Sequence, residues 1–228
     1  MIKAILFDLD NTLIDFMVMK RKCCEAAIDA MIAAGLKMTR AKAMKLLYEQ
    51  YYKYGIEYQQ IFQKFLKSTK GKIDYKIIAH GVLAYRKAKE SYLAPYPHVI
   101  STLISLKKDY KLAIISDAPR IEAWMRLVTM KLDEFFDAVI TAADVRKKKT
   151  TSAPFNAALK TLKIKPEEAL MVGDRITRDI LPAKKFGIKT CFARYGARYN
   201  DEPMPRRGKS GADYEISDIK DLLRLKLQ

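Results

Sequence analysis

Residues 2–8 read IKAILFD, a short apolar run that ends in an acid. An uninterrupted apolar run of this length is typical of a strand that is buried on both faces of a sheet. Further along the chain, strand patterns alternate with helix patterns, which predicts an α/β fold with a mostly parallel sheet and helices on both faces. The strands are predicted at 112–116, 138–141, 169–173, 190–193 and 214–216, and the helices at 98–109, 120–130, 153–162, 178–186 and 219–225.

Between the first strand and this alternating region lies a segment with helical periodicity throughout. Gly35, Gly55 and Gly71 fall where breaks between its helices are expected. We therefore predict a core domain made of residues 1–13 and 94–228, with an inserted four-helix domain at 14–93. The four helical patterns span 23–31, 41–51, 56–66 and 73–89.

The composition limits the class of protein. Of the 228 residues half are hydrophobic, with 9 Gly and 8 Pro, which excludes a largely disordered chain. No stretch approaches 18 uncharged apolar residues, and the first apolar run stops at an acid, so we expect neither a membrane span nor a signal peptide. The cysteines, Cys23, Cys24 and Cys191, are too few for a disulfide framework and are expected to be reduced and buried. A cytoplasmic protein is the expectation.

The charge balance points to anionic partners without choosing among them. Lys and Arg number 43 against 26 Asp and Glu, which gives a net charge of +17. Such a surface attracts nucleic acid, acidic membranes and phosphorylated small molecules alike.

One helix of the alternating region carries a conspicuous apolar stripe. In the predicted helix 120–130 this stripe includes Trp124. We therefore expect Trp124 to be a core residue.

Polar side chains follow several predicted strands at their carboxyl ends, where open parallel sheets bind ligands. Carboxylates crowded together repel one another and stay ionised when a cation lies among them. Oxygen ligands with little His or Cys nearby suit Mg²⁺, and an aspartate beside a phosphate can attack phosphorus. The set comprises Asp8, Asp10, Asn11 and Thr12 after the first strand, Ser116 and Asp117 after the second, Asp174 and Asp179 after the fourth, and Lys147, Lys148 and Lys149 after the third.

The motifs DLDNT at 8–12 and GDRITRD at 173–179, with Ser116 and a loop lysine between them, resemble the four motifs of the haloacid dehalogenase (HAD) superfamily. The resemblance covers nearly the whole chain and implies a Rossmann-like core and a Mg²⁺ cofactor. The inserted helices resemble the C1-type cap of that superfamily, and the connection from Pro95 to Pro97 resembles the point where the cap returns to the core.

The resemblance implies a role for each acid. Asp8 would be the nucleophile and a metal ligand. Asp10 would be the general acid and then the general base, and its backbone carbonyl would reach the metal. Asp174 would be a direct Mg²⁺ ligand. Thr12 and Asp179 would support the site, Thr12 by bracing the loop and Asp179 by orienting a metal-bound water.

The phosphate-holding groups are implied in the same way. Ser116 and Asp117, with the amides that follow, would bind phosphate oxygens. A lysine would hold the nucleophile and the phosphate and offset the charge of the transition state. The spacing favours Lys149, with Lys148 the alternative, and Thr150 stands where the family usually has proline.

Asp10 separates reaction classes within the superfamily, because dehalogenases release halide without an acid and typically lack Asp at this position. The resemblance therefore implies a phosphatase acting on a small phosphorylated metabolite, as a monomer or homodimer. Two alternatives stay open: a sugar-phosphate mutase on the same core, and a basic nucleic-acid-binding protein that reuses the fold. Intact Asp8, Asp10, Asp174 and Asp179 make the nucleic-acid alternative the less favoured one.

Overall fold

The computed structural model describes residues 1–197 and 204–227. Residues 198–203 and 228, which belong to the predicted core domain, lie outside the described residues. The chain forms two compact units, one made of Met1–Phe16 and Ala94–Gln228 and the other of Met17–Leu93.

The first unit is built on one six-stranded sheet with the order β3-β2-β1-β4-β5-β6. Every neighbouring pair in this sheet is parallel, which confirms the predicted α/β class. β1 is central, because its residues pair with β2 on one side and with β4 on the other. The strands are β1 (Ala4–Phe7), β2 (Lys111–Ser116), β3 (Ala138–Thr141), β4 (Ala169–Gly173), β5 (Lys189–Ala193) and β6 (Tyr214–Ile216).

The second unit is helical, as its periodicity predicts. Asp74 caps the last helix by accepting hydrogen bonds from the amides of Lys76 and Ile77. Gly55 and Gly71 end the second and third helices with positive φ, at the breaks expected from the sequence. No helix among the described residues is long and apolar enough to cross a bilayer. The helices are α1 (Phe16–Ala33), α2 (Arg40–Tyr54), α3 (Ile61–Lys70) and α4 (Tyr75–Tyr92).

Helices cover both faces of the sheet. Ala4 and Leu6 of β1 pack in one cluster with residues of the helix 153–162, while Ile5 and Phe7, which point to the opposite face, are also fully buried. The core helices are α5 (Val99–Leu106), α6 (Arg120–Thr129), α7 (Ala142–Val145), α8 (Ala153–Leu162) and α9 (Leu181–Lys185), with a π-helical turn at Ile176–Ile180 and a 3₁₀-helix at Ile219–Arg224.

The prediction that Trp124, on α6, is a core residue is wrong. The buried residues of α6 are Ala123, Arg126 and Leu127, whereas Trp124 is 39% exposed. Trp124 and Arg126 are two residues apart, about 200° around a helix, so both cannot face the sheet. Arg126 takes the inward position because it pairs with Asp10. The outward face is formed by Ile121, Trp124, Met125 and Val128.

Candidate active site

The sheet order brings the predicted site residues together at one edge. Asp8 follows β1 directly, Ser116 is the last residue of β2, and Asp174 follows β4. Since β2, β1 and β4 are neighbours and parallel, their carboxyl ends meet. The chain moves to opposite sides of β1 on its way to β2 and to β4, and a crevice at such a switch point is where open α/β sheets bind ligands.

A cluster of buried carboxylates lies at this edge. Asp8, Asp174 and Asp179 each offer one carboxylate oxygen, and these oxygens lie within 4.8 Å of one another. All three residues are buried, so their mutual repulsion is poorly screened by water. A set of hard oxygen donors of this kind fits Mg²⁺. The carboxylate of Asp10, by contrast, contacts Arg126.

The ammonium group of Lys149 lies against two of these acids. Its Nζ contacts Oδ1 of Asp8 and lies 2.6 Å from Oδ1 of Asp179. Burial by itself would lower the pKa of Lys149, but the carboxylates of Asp179 and Asp8 outweigh it and raise that pKa above the ordinary lysine value. Lys149 is buried, whereas Lys148 is exposed, so Lys149 is the lysine that the fold brings to the acids.

The loop that carries Lys149 is held by Asp117 rather than by a proline at position 150. The backbone amide of Lys149 donates a hydrogen bond to Oδ1 of Asp117 at 3.0 Å. Oδ2 of Asp117 lies 3.9 Å from Nη1 of Arg178. Ser116 is buried next to it, and its Oγ accepts the amide of Ala118 at 3.1 Å. One carboxylate therefore connects the end of β2 to the lysine loop.

Asp179 is the most enclosed acid of the cluster. Burial raises the pKa of its carboxyl, while the neighbouring Lys149 ammonium opposes that rise. Its Oδ2 accepts the backbone amide of Arg175 at 3.0 Å. A Cβ on Gly173 would overlap the side chain of Asp179. The glycine that begins the motif is thus required for space at the end of β4.

The loop after β1 is braced from two directions. Thr12 donates a hydrogen bond through Oγ1 to Oδ1 of Asp174 at 3.3 Å, which connects the loop to β4. Tyr195, beyond β5, donates through its hydroxyl to the carbonyl of Thr12 at 2.8 Å. Next to it, Gly196 lies so close to the carbonyl of Asn11 that a Cβ would overlap that oxygen.

Sequence reasoning missed Tyr195, Gly196 and Arg126. Tyr195 and Gly196 stand in a loop with no motif, and a glycine after the last long strand is the one signal that could have drawn attention there. Arg126 stands in no motif, and a helix pattern does not show that an arginine faces inward. Nη1 of Arg126 donates to Oδ1 and Oδ2 of Asp10 at 2.8 and 2.6 Å.

Comparison with known proteins agrees with this geometry. A family model described as haloacid dehalogenase-like hydrolase matches residues 5–193. The chain belongs to the haloacid dehalogenase superfamily, as its motifs indicate.

Relatives narrow the class further. The chain is 36% identical over 224 residues to a glyceraldehyde 3-phosphate phosphatase of Methanocaldococcus jannaschii, covering 98% of this chain and 96% of that protein. It is 36% identical over 225 residues to the protein of the same name in Pyrococcus furiosus, covering 98% and 92%. The solved structure of a HAD phosphatase from Thermococcus onnurineus matches with a TM-score of 0.70 and 25% identity, covering 98% of this chain and 97% of the other. The chain is therefore a hydrolase of the superfamily's phosphatase class, acting on phosphate esters.

Proposed function

We propose that this protein is a Mg²⁺-dependent phosphatase that hydrolyses a small phosphate monoester through an aspartyl-phosphate intermediate on Asp8. The observation that carries the proposal is the buried cluster of Asp8, Asp174 and Asp179 with the Lys149 ammonium against it. Three acids and one ammonium leave net negative charge in a site of low dielectric. A divalent cation would offset that charge and so allow an anionic phosphate to approach the acids.

The two halves of the reaction use two aspartates. In the first half, a carboxylate oxygen of Asp8 attacks phosphorus, the ester P–O bond breaks, and the carboxyl of Asp10 gives its proton to the leaving oxygen. In the second half, water attacks the phosphorus of the aspartyl phosphate and Asp10 takes the proton of that water. Inorganic phosphate leaves, and Asp8 returns as a free carboxylate.

The remaining site residues hold the reactants. Asp8, Asp174 and the backbone carbonyl of Asp10 would bind Mg²⁺, with Thr12 and Asp179 supporting them. When bound, the ion would offset the charge of the phosphate oxygens and draw the acids together.

The phosphate itself would be bound by three residues of the core. Ser116 and Asp117, at the end of β2, would engage the phosphate together with the amides that follow them. Lys149 would compensate the charge that the phosphoryl group carries as it is transferred.

The substrate proposed is a triose phosphate of the glyceraldehyde 3-phosphate kind, because relatives that align over nearly the whole chain carry that name. We propose that residues 14–93 form the C1-type cap on a core made of 1–13 and 94–228, working as a monomer or homodimer. Buried, free Cys23, Cys24 and Cys191 support a reducing compartment such as the cytoplasm. The relatives favour neither the mutase nor the nucleic-acid alternative.

A panel of phosphate monoesters tests the reaction class. Phosphate release is measured from glyceraldehyde 3-phosphate, p-nitrophenyl phosphate and several sugar phosphates, with Mg²⁺ and with EDTA. We expect release that requires the metal and that is lost in Asp8→Asn, which keeps the size of the side chain. Phosphate release by Asp8→Asn at the wild-type rate would refute the assignment of Asp8 as the nucleophile. Release in EDTA at the same rate as with Mg²⁺ would refute the metal requirement.

A further inference from the structure

Arg126 occupies a position where the interior of the core unit would ordinarily hold an apolar side chain. It lies on the buried face of α6 between Ala123 and Leu127, and 1% of it is exposed. Its guanidinium carbon lies 4.6 Å from the centroid of the Phe16 ring. The guanidinium thus has an aromatic ring beside it, and its Nη1 reaches both oxygens of Asp10.

Stability alone does not explain this buried pair. Removing a guanidinium from water is costly, and replacing a buried ion pair with apolar residues is often neutral or stabilising. An arginine at this position also turns the apolar face of α6, with Trp124, toward solvent. The pair is therefore better explained by what it does to Asp10 than by what it adds to the core.

What the pair adds is the orientation of a carboxylate on a loop. The side chain of Asp10 is 23% exposed, and Nη1 of Arg126 lies 2.8 and 2.6 Å from its two oxygens. Contact with both oxygens opposes rotation of the carboxylate about its own bonds. Two aspartates of the loop after β1 contact a buried cation, Asp8 with Lys149 and Asp10 with Arg126.

We propose that Arg126 is a positioning residue that orients the carboxyl group of Asp10 for proton transfer to the leaving oxygen and from the attacking water. This inference rests on the proposed function, because Asp10 must first be the acid and base of the reaction. Arg126 acts through Asp10 and not on the phosphate, so the effect of its removal depends on how much the leaving group needs a proton.

Two substrates separate such a role from a structural one. The alkoxide released from glyceraldehyde 3-phosphate needs a proton as it leaves, whereas p-nitrophenolate leaves without one. The ratio kcat/KM reports the steps up to departure of the leaving group. For Arg126→Met we expect kcat/KM to fall about 100-fold for the alkyl ester, the lower end of general-acid contributions, and less than about fivefold for the aryl ester. A general loss of structure would lower both equally, and an equal fall would overturn the proposal.

A double-mutant cycle tests whether the effect passes through Asp10. In an Asp10→Asn background, Arg126→Met should change kcat/KM for the alkyl ester by less than about threefold, because the group it orients is already gone. A further loss as large as in the wild-type background would overturn the proposal. Arg120→Met is the matched control, since Arg120 is an exposed arginine on the same helix, α6, and the change removes its ion pair with Asp144. We expect kcat/KM of Arg120→Met to stay within about twofold of the wild-type value for both substrates.

Folding of the variants is checked by their thermal midpoints. If Arg126→Met does not fold, Arg126→Lys is the variant to measure, because it keeps the charge but lacks the planar guanidinium that lies beside the Phe16 ring and reaches Asp10. We expect this variant to fold and to lose about tenfold on the alkyl ester with little change on the aryl ester. Equal losses on both esters would overturn the proposal. Asp8→Asn distinguishes failure of the proposed function from failure of the role given to Arg126. Full turnover in Asp8→Asn would overturn the proposed function. If Asp8→Asn is inactive and the Arg126 variants lose kcat/KM equally on both esters, only the role of Arg126 is overturned.

Discussion

Gly196→Ala is the substitution for which the structure gives the sharpest prediction. A Cβ on Gly196 would overlap the carbonyl oxygen of Asn11 and would lie 3.0 Å from Cβ of Asp174. The first neighbour is backbone, and the second is a short side chain that a hydrogen bond from Thr12 holds. Neither can give way as the end of a long side chain would. To relieve the overlap, the loop after β1 and the loop after β5 must separate by more than about 1 Å, a displacement that costs about 100-fold in a preorganised site.

The displaced loop carries Asp8 and Asp10, so activity should fall more than stability. We expect kcat/KM for the alkyl ester to fall at least about 100-fold in Gly196→Ala. Overpacking costs about 1–3 kcal/mol, and at about 2–4 °C per kcal/mol the thermal midpoint should drop by roughly 2–12 °C in a chain of this size. Both quantities come from steady-state assays and thermal melts of the purified protein with Mg²⁺.

The control is Gly208→Ala. Gly208 has φ +72°, and among the described residues a Cβ there would meet nothing within 4 Å. This variant has backbone strain without a collision, and we expect a loss of about 1 kcal/mol in stability with unchanged kcat/KM. Wild-type kcat/KM in Gly196→Ala would refute the claim that this contact fixes the catalytic loop. An equal loss of activity in both glycine variants would show that strain, not collision, is responsible.

Three further predictions concern charged groups of the core unit. Lys149→Met leaves the buried acids without their cation. In thermal melts with EDTA we expect the free energy of unfolding to fall by about 3 kcal/mol, and in assays with Mg²⁺ we expect little turnover. The control Lys148→Met, which changes an exposed lysine, should alter neither stability nor turnover. Asp117→Ala removes the acceptor that holds the Lys149 amide and should lower kcat/KM about tenfold, whereas Asp117→Asn, which keeps an oxygen there, should lose much less in the same assay. For Asp213, burial alone would raise the pKa, but hydrogen bonds from Thr190 hold it below the ordinary value. The stability that the ionised Asp213 contributes is therefore present above its unfolded-state pKa of about 3.9, and it is lost as the pH falls through the lower pKa of the folded state. In Asp213→Asn the thermal midpoint, measured between about pH 4 and 2, should consequently fall less steeply than in the wild type.

Local sequence patterns were sufficient for most of the fold. Strands at Ala138–Thr141, Ala169–Gly173 and Tyr214–Ile216 begin and end where the alternation predicts. Boundaries were less accurate where the pattern is helical. The first inserted helix begins at Phe16 rather than near Cys23, and the buried Phe16, Met19 and Cys23 continue one apolar stripe back to its first turn.

Motif spacing also named the candidate acids, because Asp8 and Asp174 stand directly after buried strands, and Asp10 and Asp179 follow them at the spacing of the motifs. Motif spacing could not predict which residues far apart in the chain contact each other. Arg126 and Asp10 are separated by 116 positions, and nothing in a helix pattern tells an inward arginine from a solvated one. Asp117 was predicted to bind phosphate, and the structure adds that it holds the amide of Lys149.

The sequence by itself determined the class of sheet, the helical insertion and the acids at the strand ends, because hydrophobic period and strand-end chemistry are local properties. The tertiary structure decided which of two adjacent lysines meets the acids, which way α6 faces, and why Gly196 has no side chain. Those outcomes depend on distances between segments that only the folded chain brings together. They also depend on the cost of burying a charge, which is low only where a buried group of opposite charge lies beside it.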